Sequence, residues 1–152
     1  MTEARTLKIK TSLARQMAQP GGRTLADVER RANERLERHR DDVMTAVAGT
    51  ITELELVVVA AAPGSEPQVY RLASSLLDTA GFFDTGPLYE AGYSLCDVAD
   101  RMQTGGVWSW PTVAVHVQAM RLILTAGCQA DATSAALLAG LRSVAAKARQ
   151  DT

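Results

Sequence analysis

The chain has 152 residues, a net charge of −1 and 47% apolar residues, the proportions of one globular domain with a short appendage. A domain of this length buries roughly two thirds of its unfolded surface, so its core needs neither a metal nor a disulfide. The near-neutral charge argues against nucleic-acid binding, which usually needs a strongly basic face. Aromatic residues make up only 5%, which favours helices over strands.

The same numbers exclude several other classes. Two cysteines, Cys96 and Cys128, are too few for a disulfide framework or a zinc site. The first 20 residues contain no apolar region of a secretory signal. The longest apolar run, residues 56–63, is shorter than the roughly 20 residues that span a bilayer. We therefore expect a cytoplasmic protein with reduced thiols, no cofactor, no metal and no membrane insertion.

Residues 1–23 form a basic segment in which five cations accompany one acid, Glu3. The segment ends at Pro20-Gly21-Gly22, a strong breaker of helices. We interpret it as a partly disordered tail. The alternative is a docking segment that becomes ordered on a partner.

A long helix is predicted over residues 24–61. Thr24 is suited to cap its N-terminus, and Asp27 follows three residues on, as in a capping box. Residues 27–42 are dense in arginines and acids, so this half could project from the body or pair with a second copy as a coiled coil. The alternative is a solvated face with ion pairs four residues apart. From Val43 on, the helix should enter the core. Its apolar stripe consists of Val28, Ala32, Leu36, Val43, Val47, Ile51, Leu54 and Val58.

The rest of the predicted bundle, residues 24–150, consists of helices between 66 and 148 that are separated by glycine and proline. Gly81 should end the second helix, and Asp131 or Thr133 should cap the last one. No strand pattern competes. Helices joined by short loops lie antiparallel, so we predict an all-α fold, an up-and-down four-helix bundle with a long, partly projecting N-terminal helix, or a bundle of five. The positions expected to be buried after the first helix are Val69, Leu72, Ala73, Leu76, Leu77, Ala80, Leu88, Ala91, Leu95, Val98, Ala99, Met102, Val113, Val117, Met120, Leu124, Leu137, Leu138, Leu141 and Val144.

Residues 74–84, SSLLDTAGFFD, resemble the phosphoryl-accepting helix of a histidine phosphotransfer (Hpt) domain. Such domains are four-helix bundles with the motif H-x-L-K-G-S-A-G-x-F-G, followed by a leucine-rich helix. Leu76, Ala80, Gly81 and Phe83 match the motif, and Thr79 stands for its serine. The similarity extends through LYEAGYSLCDVADRM and VWSWPTVAVHVQAMRLIL, which take the places of the leucine-rich and closing helices.

The N-terminal stretch KTSLARQMAQPGGRTLADVERRANERLE is similar to the start of the CheE-type chemotaxis accessory proteins of some alphaproteobacteria. Together the two resemblances imply a role in two-component or chemotaxis signalling. They imply a response-regulator receiver domain or a chemotaxis kinase as the partner, with a homodimer also possible.

The three residues that carry the chemistry of an Hpt domain are replaced here. Ser74 stands for the histidine, Leu77 for the lysine and Asp78 for the glycine. Transfer needs an exposed imidazole as nucleophile and positive charge near a phosphoryl group of about −2. We therefore expect a protein that is not an enzyme, in which Ser74, Leu77, Asp78, Gly81 and Phe83 form a partner-binding face of a non-catalytic adaptor.

Two other hypotheses stay open. A structural dimerisation module would use the long N-terminal helix. An active phosphotransfer protein would use a displaced histidine, either His39 or His116. The simpler interpretation is that His39 is solvated and that His116 is semi-buried with a hydrogen bond. Trp108 and Trp110 form either a plug over the open end of the bundle or an exposed anchor pair.

Overall fold

The computed structural model describes residues 24–81, 83 and 85–148. This part of the chain forms five helices and no strand, which confirms the predicted all-α helical bundle. The basic segment 1–23, Phe82, Asp84 and residues 149–152 lie outside the described residues. The helices are α1 (Leu25–Ala60), α2 (Glu66–Ala80), α3 (Gly86–Gly105), α4 (Trp110–Thr125) and α5 (Ala132–Ala148).

The chain divides into two units between Arg38 and His39. In the first unit the structure describes the opening turns of α1, whose side chains are exposed apart from a half-buried Asp27. The predicted N-cap at Thr24 is present, but the Asp27 carboxylate bonds to the Thr24 hydroxyl in place of the backbone N–H that a capping box uses. The Asp27 N–H donates to Thr24 Oγ1 at 3.2 Å, and the Thr24 hydroxyl donates to Asp27 Oδ2 at 2.8 Å. Arg30 pairs with Glu34 at 2.8 Å, as expected for a solvated helical face.

The second unit, from His39 onward, holds the apolar core. α1 contributes Val47, Ile51 and Leu54, none of which has exposed surface. All six apolar positions predicted for α3 are buried. The prediction of buried positions was wrong for four residues of the other helices, which are only half-buried: Leu77, Leu124, Leu137 and Val144.

α3 is the central helix of this unit, because it packs against α2, α4 and α5, while α4 also packs against α5. The α2–α3 contact is close. A Cβ atom built on Gly92 would lie 3.0 Å from Leu76 Cδ2 and 3.2 Å from Leu77 Cδ2. A side chain at this position would therefore require Leu76 or Leu77 to shift, whereas glycine lets the two helices approach each other as they do.

A bidentate ion pair between Arg121 and Glu55 joins α1 to α4. Arg121 donates from Nε to Glu55 Oε1 and from Nη2 to Glu55 Oε2, each at 2.7 Å. The same Nη2 also donates to Thr52 Oγ1 at 2.8 Å. The hydrogen bond from Arg121 lowers the pKa of Glu55, so the pair stays ionised over the physiological range.

The helix ends follow local chemistry. Pro67 and Pro111 lie in the first turns of α2 and α4, where a missing N–H costs nothing. Asp131, rather than Thr133, caps α5. The Ser134 N–H donates to Asp131 Oδ1 at 2.8 Å, and the Asp131 N–H donates to Ser134 Oγ at 2.9 Å.

By length and composition alone, α1 could cross a membrane, since one window of 18 residues has a mean hydropathy of 1.7. The longest uninterrupted apolar run underestimates the apolar length of this helix, because Glu53 and Glu55 interrupt an otherwise apolar stretch. The core helix of a folded domain meets the same criterion, and 17% of the window is buried.

Candidate functional site

Four of the five predicted partner-binding residues share one face of α2. Ser74, Leu77, Asp78 and the C-cap residue Gly81 occupy positions i, i+3, i+4 and i+7, which places them on one side of the helix. Asp78 and Gly81 are exposed, whereas Ser74 and Leu77 are half-buried. Phe83, also half-buried, follows in the turn between α2 and α3. We call these five residues the α2 face.

Leu77 also has a packing role, because its Cδ2 atom lies in the close contact with Gly92 of α3. This side chain therefore helps to hold the two helices together. Leu77 is therefore both part of the α2 face and an anchor of α2 on α3.

A surface cleft of about 420 Å³ opens at the α2–α3 turn, lined by Gly81, Phe83, Tyr89 and Glu90 among others. A Cβ atom on Gly81 would lie 3.1 Å from the Leu77 carbonyl oxygen and 3.6 Å from Tyr89 Cε2, so a side chain at Gly81 would crowd the end of α2 and reach the wall of the cleft. Thr85 steadies the turn by donating its buried hydroxyl to the Ala80 carbonyl at 3.0 Å. We call this the turn cleft.

The charge of the α2 face is negative. Within the described part of the chain, no basic side chain forms an ion pair with Asp78. Burial, and secondarily the Asp78 carboxylate, raise the pKa of the Cys96 thiol to about 11. Cys96 is half-buried, and its thiol stays protonated at neutral pH.

His39 lies beside the turn cleft, which the sequence did not predict. Its ring meets Phe83 edge-on, with ring centroids 6.1 Å apart. His39 is exposed, as expected for a solvated residue. The contact adds an aromatic and polar neighbour to the α2 face.

His116 has no exposed surface, so it is more deeply buried than the semi-buried histidine that we expected. Its Nδ1 lies 2.8 Å from the Thr112 carbonyl oxygen, and its Nε2 lies 3.1 Å from Ser94 Oγ. Burial lowers the pKa of His116, and the bond to Thr112 partly offsets this. Because a carbonyl only accepts, Nδ1 carries the hydrogen and Nε2 accepts from Ser94.

Ser94 lines a second cleft of about 480 Å³ between α3 and α5, which we call the α3–α5 cleft. Glu90 and Arg142 pair across it at 3.2 Å, and Asp97 on its wall pairs with Arg101. The Ser94–His116 pair was not predicted, because the two residues are far apart in sequence. The other lining residues are Tyr89, Tyr93, Leu138, Leu141 and Ala145.

Trp108 and Trp110 form an edge-on pair with ring centroids 5.4 Å apart. Both are half-buried and pack against the core, as a plug over the bundle would. Among the described residues, the buried Trp108 Nε1 has no hydrogen-bond partner.

Comparison with protein-family models, curated proteins and solved structures finds no match for this chain. The resemblance to Hpt domains is therefore one of motif residues in the sequence. Within the described residues, no group of three or more His, Cys, Asp or Glu side chains is placed to hold a metal ion.

Proposed function

We propose that this protein is a non-catalytic adaptor of two-component or chemotaxis signalling that binds a response-regulator receiver domain, or a chemotaxis kinase, through the α2 face. One observation carries the proposal. Gly81 and Phe83 line the turn cleft at the end of α2, and Ser74, Leu77 and Asp78 lie on the preceding turns of the same helix.

The shape of the turn cleft supports docking rather than chemistry. Tyr89 is 42% exposed at the edge of the cleft, and tyrosine is among the residue types that carry binding energy in protein interfaces. A partner side chain can enter beside Gly81 without displacing backbone. The role places the protein in the cytoplasm and needs no cofactor.

The charge of the α2 face supports binding without transfer. The exposed carboxylate of Asp78 replaces a glycine of the family, and Leu77 replaces the lysine that would attract a phosphoryl group. A receiver carrying phosphoaspartate would meet like charge there. The adaptor should therefore prefer the unphosphorylated receiver.

Calorimetric titration against purified receiver domains from the same genome, with and without a phosphate mimic, tests the proposal. We expect one receiver to bind with micromolar affinity and to bind more weakly with the mimic. Gly81→Lys should abolish this binding by filling the turn cleft. Leu77→Glu is a poorer test, because it would also disturb the α2–α3 packing.

Gly140→Lys is the matched control. Gly140 is also an exposed glycine, lies on α5, and has nothing within 4 Å of the site of its missing Cβ. Its lysine variant should bind the receiver like the wild type. The proposal fails if no receiver binds, or if both lysine variants weaken binding equally.

A second candidate function is dimerisation through the opening turns of α1. Leu25, Val28 and Leu36 lie on one face there and are 75%, 49% and 58% exposed, a stripe typical of a helix that pairs with another. Sedimentation equilibrium should then show a dimer that Leu36→Glu dissociates. Leu122→Glu, at an exposed leucine of α4, should leave it intact.

The displaced-histidine hypothesis has no support at His116. A phosphoacceptor needs an accessible ring nitrogen, and both nitrogens of His116 are engaged in the interior.

A further inference from the structure

We propose that Ser94 is a reactive nucleophile, with His116 as its general base, that accepts an acyl group from an ester bound in the α3–α5 cleft. The proposal is independent of the docking role of the α2 face. It follows from the 3.1 Å contact between Ser94 Oγ and His116 Nε2 at the wall of an open cleft.

The hydrogen bonds of His116 prepare it to accept a proton. The Thr112 carbonyl holds the hydrogen on Nδ1 at 2.8 Å, which leaves the lone pair of Nε2 facing the Ser94 hydroxyl. A nucleophile and base within about 2.6–3.2 Å, with the base oriented by a third group, is the arrangement of serine hydrolases. Here a main-chain carbonyl takes the place of the orienting carboxylate.

The position of Ser94 gives a substrate access to this pair. Ser94 is half-buried whereas His116 is fully buried, so an entering molecule reaches Oγ first and leaves the base shielded from water. A cleft of about 480 Å³ is within the range of small-molecule sites. Leu138, Leu141 and Ala145 supply an apolar wall, which suits a hydrophobic acyl chain or an aryl group.

The step is an acyl transfer. Ser94 Oγ bonds to the ester carbonyl carbon while its proton passes to His116 Nε2. The bond from that carbon to the leaving oxygen breaks, and the proton passes on to this oxygen. The products are a Ser94 ester and the free alcohol, with no change in oxidation state.

The reaction should be slow. Burial disfavours the imidazolium form that the step requires, as the lowered pKa of His116 shows. The described lining residues belong to helices, in which backbone N–H groups are already bonded, so they supply no backbone oxyanion hole. Activated esters and fluorophosphonates are therefore the suitable probes.

The test is to incubate the full chain with a fluorophosphonate, and separately with p-nitrophenyl butyrate, and to follow intact mass and peptide maps. We expect a single adduct on Ser94, whereas Ser143, an exposed serine of α5, remains unmodified in the same sample. Ser94→Ala should abolish the adduct and Ser143→Ala should preserve it.

The base is tested by His116→Gln, which keeps a hydrogen-bonding side chain. Labelling should slow by about 100-fold in protein that circular dichroism shows to be folded. If that variant unfolds, the comparison of Ser94 with Ser143 in the wild-type chain still decides. The proposal is overturned if Ser94 carries no adduct, or if Ser143 is modified as fast as Ser94.

Discussion

The replacement Gly92→Ala tests whether α2 and α3 are as close as the structure has them. The added Cβ atom would lie 3.0 Å from Leu76 Cδ2 and 3.2 Å from Leu77 Cδ2. Leu76 has no exposed surface and little space to move into. Leu77 is half-buried and can turn outward. The added methyl should therefore force a shift at Leu76 and displace a residue of the α2 face.

Two opposing effects decide whether Gly92→Ala raises or lowers the free energy of unfolding. Alanine is better than glycine in a helix interior by about 1 kcal/mol, whereas overpacking a core contact costs about 1–3 kcal/mol. We expect a net destabilisation of about 1 kcal/mol for Gly92→Ala. Gly140→Ala is the matched control, because its Cβ meets nothing within 4 Å and only the propensity gain of about 1 kcal/mol applies.

Urea denaturation followed by circular dichroism measures both variants, and an unchanged denaturant slope would show that the comparison is one of stability. The two free energies of unfolding should differ by about 2 kcal/mol, which is the cost of overpacking alone, because the propensity gain is common to both variants. A Gly92→Ala variant as stable as Gly140→Ala would refute the close α2–α3 contact.

Three other predictions concern single groups. Asp131→Ala should lower the urea midpoint, because it removes the bond to the Ser134 N–H, whereas Thr133→Ala should not; equal midpoints would contradict the assigned cap. His116 has a lowered pKa when folded, so its contribution to stability is complete above its ordinary value of 6.5 and is lost as pH falls below that value. His116→Gln should flatten this acid-side loss, and an unchanged slope would count against the buried neutral ring. Cys96, with its pKa raised from 9.0 to about 11, should have about 100-fold less thiolate at pH 8 than an unshifted thiol; labelling with Ellman's reagent at the rate of a free thiol would rule this out.

The helix ends could be predicted from the sequence because their chemistry is local. Capping side chains, prolines in first turns and glycines after last turns act within about four residues. The long helix predicted over residues 24–61 is observed as Leu25–Ala60. The choice between Asp131 and Thr133 needed the structure, since both are capping residue types.

The edges of the core were less predictable, because helical spacing gives a stripe but not the rotation of each helix against its neighbours. Leu137 and Val144 fall at the margin of α5, while Ala145 of the same helix is buried. The difference is set by packing against α3 and α4, which no single segment encodes.

The two clefts show the same limit. The row of residues on α2 follows from helical spacing alone. Tyr89 of α3 meets Gly81 at the end of α2 in the turn cleft, and Ser94 of α3 meets His116 of α4. Both arrangements depend on how different helices pack against each other. The residues next to His116 in sequence are two valines, and they do not indicate that a serine lies at hydrogen-bonding distance.

Chemical-shift mapping tests the central claim most directly. Isotope-labelled protein would be titrated with the receiver domain that binds in calorimetry. We predict that the perturbed backbone resonances cluster at Asp78, Gly81, Phe83 and Tyr89 and are absent in the Gly81→Lys variant. Perturbations confined to α5 or to residues 24–38, or no perturbation with any receiver, would contradict the assignment of the α2 face as the docking surface.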